Sequence, residues 1–187
     1  MIDRPEFDNL VYLQEIKTQC NSVLFALEQF NMRIGEINQP HKPDGRNTPN
    51  SEVFRALHSL LTHTAIISRL LFPSRKRDGY AQQRGRKLRG VLKVDKSSPI
   101  ADRSLRDHLE HYDERLDQWV QSASRAIATD NIHPKDMGPN VAPESTLRTY
   151  LTDSREFFFM GHTYEIVPLV CEVRRILDEV QKVPGVR

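Results

Sequence analysis

The strongest constraint in this 187-residue chain is the spacing of its apolar residues. Leu13, Ile16, Cys20, Val23, Leu27, Phe30, Ile34 and Ile37 advance in alternating steps of three and four. That rhythm keeps them on one face of an α-helix and fits no strand. Val53, Leu57, Leu60, Thr64, Ile67 and Leu71 repeat it, with Ser51 placed to cap the start and Pro73 to stop the helix. Between the two stripes, residues 39–50 concentrate Pro, Gly and Asn, so they read as a loop joining an antiparallel helix pair. A third helix is expected over 99–123, with Ser98 as cap, Pro99 at the first helical position and Asp102 in the first turn. A fourth covers 166–181 through Ile166, Leu169, Val170, Val173, Ile176, Leu177 and Val180.

Between the third and fourth helices the period changes. Residues 146–151, 156–160 and 163–166 are β-prone runs broken by Thr152-Asp153-Ser154 and Gly161, which predicts a small β-hairpin. Phe157-Phe158-Phe159 then reads as hairpin core packed on the helices. The expected fold is all-α or mainly α: a single domain over 1–187, built as a bundle of four long helices with a small C-terminal β-hairpin inserted at about 146–166.

Composition narrows the function classes. No apolar run approaches the roughly 18 residues of a membrane span, and the first residues have no signal-peptide core, so a cytoplasmic protein without membrane attachment is expected. Cys20 and Cys171 both fall at apolar helix positions and read as buried free thiols. The formal charge of +2 hides an asymmetry. Residues 75–96 hold nine Lys and Arg against Asp78 and Asp95, a surplus of seven, whereas the rest of the chain has 18 basic and 23 acidic residues. A concentrated basic connection marks a phosphate-bearing partner, with Arg84, Arg86, Lys87, Arg89 and the nearby Arg103 as candidate nucleic-acid contacts. Tyr80 is its only aromatic residue, so backbone clamping is expected rather than base stacking.

The third helix carries the candidate chemistry. At ~100° per residue, Leu105, Leu109, Tyr112, Leu116, Trp119 and Ala123 form its inner stripe, and Arg103, Arg106, Asp107, Glu110, His111, Glu114 and Gln118 its polar face. Arg106 and His111 lie near the two edges of that face, where a guanidinium and an imidazole could hold a phosphate between them. The same residues also form i, i+4 pairs, Arg106 with Glu110 and Asp107 with His111, that any exposed helix uses. His108 and His111 lack the i, i+4 spacing of a zinc-protease helix and have no further ligand cluster, so no metal is expected. No phosphate-binding glycine loop or nucleophile elbow is present, and no cofactor is implied.

The run Arg106-Asp107-His108-Leu109-Glu110-His111, preceded by Ser104-Leu105 and followed by Tyr112-Asp113-Glu114-Arg115, resembles the R-x4-6-H motif of HEPN domains over residues 98–119. The resemblance implies an all-α homodimer with two motifs across a shared cleft, and RNA or a nucleotide as ligand. Many such proteins are metal-independent endoribonucleases of toxin–antitoxin or antiviral systems, with a protein antitoxin as partner. Others are non-catalytic nucleotide binders or scaffolds. Carried over to this chain, Arg106 would hold the scissile phosphate, His111 would assist proton transfer at the ribose 2′-hydroxyl, and Asp107 would take the polar position that is often Asn in the family.

Overall fold

The computed structural model describes residues 4–37, 50–74, 79–122, 127–133 and 145–186. The chain is mainly helical with one small sheet. Helix α1 (Arg4–Ile37) buries Leu13, Ile16, Cys20, Val23, Ala26 and Phe30 against α2 (Asn50–Leu71), whose inner face includes Val53, Leu57, Leu60, Thr64, Ile67 and Leu71. Both stripes lie where their spacing puts them, and these two helices make the most extensive packing in the molecule. The side-chain amide of Asn50 donates to the Asp130 carbonyl at 2.9 Å, fastening the start of α2 to the sheet. Helix α6 (Ile166–Gln181) covers α1 from the other side with Ile166, Val170, Val173, Ile176 and Val180. No helix among the described residues is long and apolar enough to cross a membrane.

The basic connection is not irregular. Residues Gly79–Val91 form α3, which covers the short helix that the sequence predicts around 84–92 and starts about one turn earlier. Ala81, Gly85 and Leu88 form its inner face, and Arg86 and Lys87 point outward. Gly85 is where α3 meets the end of α2: a Cβ there would lie 2.7 Å from Pro73 Cδ and 2.8 Å from the Leu71 carbonyl oxygen. Both obstacles belong to a ring or the backbone, so neither can swing aside. Gly85→Ala is expected to destabilise the fold by roughly 1–2 kcal/mol despite the helix propensity alanine adds, read as a lowered urea midpoint.

The expected third helix is broken into three pieces. Pro99–Ala101 is a single 3-10 turn, α4 runs Ser104–Glu110 and α5 runs Tyr112–Ser122. Asp102 leaves the helical region (φ −63°, ψ 130°), and its carboxylate accepts the Ser104 backbone N–H and hydroxyl, both at 2.9 Å. An aspartate that offers the backbone such a local alternative starts a new helix instead of continuing the old one. At the other end His111 (φ −116°, ψ 42°) interrupts the ladder. Ser98, expected as cap, donates instead to Glu172 of α6 at 2.8 Å. The bundle of four long helices is thus corrected to three long helices, α1, α2 and α6, with shorter ones between them.

The hairpin is corrected to a four-stranded sheet ordered β1 (Ile127–His133), β2 (Thr146–Leu151), β3 (Glu156–Phe159), β4 (His162–Glu165). β2 and β3 form the expected hairpin, β4 extends it to an antiparallel meander, and β1 adds a parallel edge strand through pairs such as Asn131 with Thr149. Phe157, Phe158 and Phe159 are all buried. Tyr150 meets Phe30 of α1 edge-on at 4.9 Å, which seats the sheet on the helices. Cys20 is fully buried, and desolvation pushes its thiol up to about 12. Cys171, expected inside, is exposed on the outer side of α6.

Candidate functional site

The C-terminus of α2 organises the site. The last carbonyls of any helix lack intrahelical partners and carry about half an elementary negative charge between them. Here four arginines from the following segments reach back to carbonyls in and just beyond its last turn. Arg84 donates to the Arg69 carbonyl at 3.4 Å, Arg89 to that of Leu71, Arg106 to that of Phe72 at 3.0 Å and Arg103 to that of Pro73 at 3.1 Å. Two of them also lie over aromatic rings: Arg89 is 4.8 Å from the Phe72 centroid and Arg84 is 5.0 Å from that of Tyr12. Arg84, Arg89 and Arg103, read in sequence as nucleic-acid contacts, thus each donate to the protein's own backbone. Arg86 and Lys87 remain exposed, and Lys93 pairs with Glu179 at 2.9 Å.

Arg106 is not on a solvated face. It is 5% exposed. Its Nε lies 3.6 Å from Asp107 and 3.8 Å from Glu110, so the i, i+4 pairing with Glu110 does form. Glu110 meets Arg69 more closely, at 2.5 Å. Arg69, Arg106 and Glu110, with Arg84 and Ser74, line a cleft of about 330 Å³ between α2, α3 and α4. Three guanidiniums face one carboxylate there. The Nε of Arg84 is buried without a hydrogen-bond partner. Against three full positive charges, the Glu110 carboxylate, the Asp107 carboxylate beside Arg106 and about half a charge from the helix end leave the cleft with a small positive excess. It suits a phosphate, whose oxygens accept from several guanidinium forks at once.

His111 is placed differently. It sits at the break between α4 and α5, its side chain about half exposed and 3.6 Å from Glu114. Asp107 faces Arg106 rather than His111. The structure therefore gathers Arg106 with Arg69, Arg84 and Glu110, with Asp107 beside Arg106, and leaves His111 apart on the surface of the chain. A one-helix projection overstated the relation between Arg106 and His111, because the helix on which both were placed ends between them.

Two features escaped sequence reasoning. One is His108, only 3% exposed, whose Nδ1 hydrogen-bonds the Tyr164 hydroxyl. The ring packs edge-on against His162 at 4.2 Å and against Phe159 at 6.2 Å. Burial, then the charges of His162 and Arg115, push it down to about 4, against a smaller opposing influence from Asp107. It is a core histidine, and the signal that could have found it is its sequence position, three residues after Leu105 and four before Tyr112 of the apolar stripe. The other is Arg69, which looks like an ordinary exposed cation near the end of α2 until Glu110 arrives opposite it. Tyr12 and Tyr80, 68 positions apart, also meet, with hydroxyls 3.4 Å from one another beside Arg84 and Lys87. Compared with protein-family models, curated proteins and solved structures, the chain matches none.

Proposed function

We propose that the protein binds RNA through phosphate contacts, with the cleft formed by Arg69, Arg84 and Arg106 as the primary phosphate site and Arg86 and Lys87 extending it along the outer face of α3. The observation that carries this reading is the cleft itself: among the described residues that line it, three guanidiniums face the Glu110 carboxylate. The paired tyrosines beside Arg84 and Lys87 add an aromatic surface next to it. Binding without cleavage is the reading favoured for the protomer, since Arg106 is tied to the Phe72 carbonyl and His111 lies outside the cleft. Cleavage of the HEPN type belongs to a homodimer, in which a second copy would supply His111; light scattering reads the oligomeric state.

The test is fluorescence anisotropy with a labelled single-stranded RNA. About five phosphate contacts give a salt slope near −3.5, so affinity should fall roughly 100-fold between about 50 and 200 mM salt. Arg69→Ala, which removes a half-exposed cation without touching the backbone caps, should weaken binding and flatten the slope by about 0.7. Glu110→Gln, which removes the one carboxylate among the described residues lining the cleft, should tighten binding about two- to five-fold. Unchanged affinity in both variants would refute the phosphate site. Metal-independent product that disappears in His111→Ala would replace binding by cleavage as the function.

A further inference from the structure

A second cavity, of about 360 Å³, shares Arg106 with the cleft but is otherwise built from different residues. It lies among α2, the Pro99–Ala101 turn, the start of α4, and the passage from β4 into α6. Its most telling group is Ser68. The residue is 3% exposed, and its hydroxyl is buried with no hydrogen-bond partner. A serine inside a helix can return its hydroxyl to the carbonyl four residues back, as Thr64 does one turn earlier, to Leu60 at 2.9 Å. Ser68 makes no such bond and lines the cavity instead. A buried polar group left unsatisfied bears its desolvation penalty, so a ligand that completes it is favoured.

The charges around Ser68 indicate what that ligand is. Arg106 brings five N–H donors, and the protein's hydrogen bond to it uses one, to Phe72. Its ion partners are Asp107 and Glu110. Asp102 lines the same cavity as Arg106 yet does not pair with it; its oxygens accept from Ser104, and it remains exposed. Glu165, also exposed, stands at the start of α6 and makes no capping bond. Between these opposite charges the walls are apolar, chiefly Ile100, Pro168 and Leu169. A simple anion would meet two carboxylates and a simple cation would meet the guanidinium. A neutral apolar molecule would leave Ser68 and Arg106 unsatisfied. A molecule that carries both charges matches both ends.

We infer that this cavity binds a small zwitterion of the α-amino-acid class with an aliphatic side chain. Its carboxylate is received by Arg106 and the Ser68 hydroxyl, its ammonium by Asp102 and Glu165, and its side chain by Ile100 and Leu169. The two readings share Arg106, but this one does not rest on RNA binding, because Ser68, Asp102 and Glu165 have no part in the arginine cleft. A free amino acid and the carboxyl end of a peptide share part of this chemistry, and the ligand series separates them.

Isothermal titration of the full chain with L-leucine should give saturable binding. N-acetyl-L-leucine, without the positive charge, and L-leucinamide, without the negative one, should each bind at least tenfold more weakly. Glycyl-leucine, whose amine is displaced by one residue, should also lose tenfold; binding equal to leucine would assign the site to peptide ends and overturn the amino-acid class. Ser68→Ala should weaken leucine several-fold while leaving the RNA titration unchanged and the ligand-free melting temperature equal or higher, since it deletes an unsatisfied hydroxyl. Absence of saturable leucine binding, or equal binding of leucine and its two blocked forms, would refute the inference.

Discussion

Arg106→Ala is expected to lower folding stability by about 2–4 kcal/mol, whereas His111→Ala is expected to change it by less than about 0.5 kcal/mol. The two residues share a motif but not an environment. The Arg106 guanidinium closes the end of α2 by donating to the Phe72 carbonyl, and its side chain is 5% exposed. Removing it strands a buried acceptor, which costs about 1–3 kcal/mol, and the lost packing of its methylene stem adds to that. His111 contributes a half-exposed ring and one ion contact in solvent. Arg106→Lys should fall between wild type and alanine, since an ammonium restores the charge but not the planar fork. Urea denaturation with an unchanged slope reads these differences directly. Equal midpoints for the two alanine variants would mean that the α2 end does not depend on Arg106. The same reasoning makes Arg69, about half exposed and in contact with Glu110 only through its side chain, the cleaner probe of phosphate binding.

The basic surplus of residues 75–96 acquires a second meaning from this arrangement. A helix that ends inside a protein must satisfy its last carbonyls, and α2 ends between α3 and α4. Arginine does so with several donors per side chain while offsetting the negative end of the dipole. Because the guanidiniums outnumber the carbonyl charge they offset, the excess faces the cleft. Capping and the proposed phosphate binding therefore draw on one electrostatic arrangement, seen from inside and from outside.

What was legible in the sequence follows from how far each determining contact reaches along the chain. The stripes of α1, α2 and α6 are local repeats, so their faces could be read directly. The runs that form β2, β3 and β4 are separated by short turns, so the β-prone character is legible, although only a hairpin is expected of them. β1 pairs in parallel with β2 across a connection, and its seven residues carry no alternation strong enough to announce a strand. The break in the expected third helix comes from the Asp102 carboxylate, whose bonds to Ser104 have the same residue types as an ordinary first-turn acid. The burial of Arg106 depends on a carbonyl 34 residues earlier, and that of Ser68 on an apolar face that tolerates one small hydroxyl. Neither partner is encoded in the spacing near the residue itself.

Acid should loosen the junction of α4 with the sheet, and His108 should be the main reason. A neutral His108 fits there: it is buried, shares a hydrogen bond with the Tyr164 hydroxyl and packs beside His162. Charging it puts a cation into that site with His162 and Arg115 close by and only Asp107 to compensate. Its folded value of about 4 lies below the ordinary 6.5, so the unfolded chain takes up the proton first. Stability is therefore complete above about pH 6.5 and is lost as pH falls from there toward 4. At about 1.4 kcal/mol per unit, the loss approaches 3 kcal/mol at the bottom of that window. His108→Gln keeps a hydrogen-bonding partner for Tyr164 but cannot titrate, so its urea midpoint should fall much less between pH 7 and pH 4.5 than that of wild type. Tyr164→Phe, by contrast, should destabilise at neutral pH by about 1 kcal/mol, because the buried imidazole loses its partner, and should retain the acid sensitivity. An identical pH dependence in wild type and His108→Gln would assign acid sensitivity to other groups and leave His108 a packing residue alone.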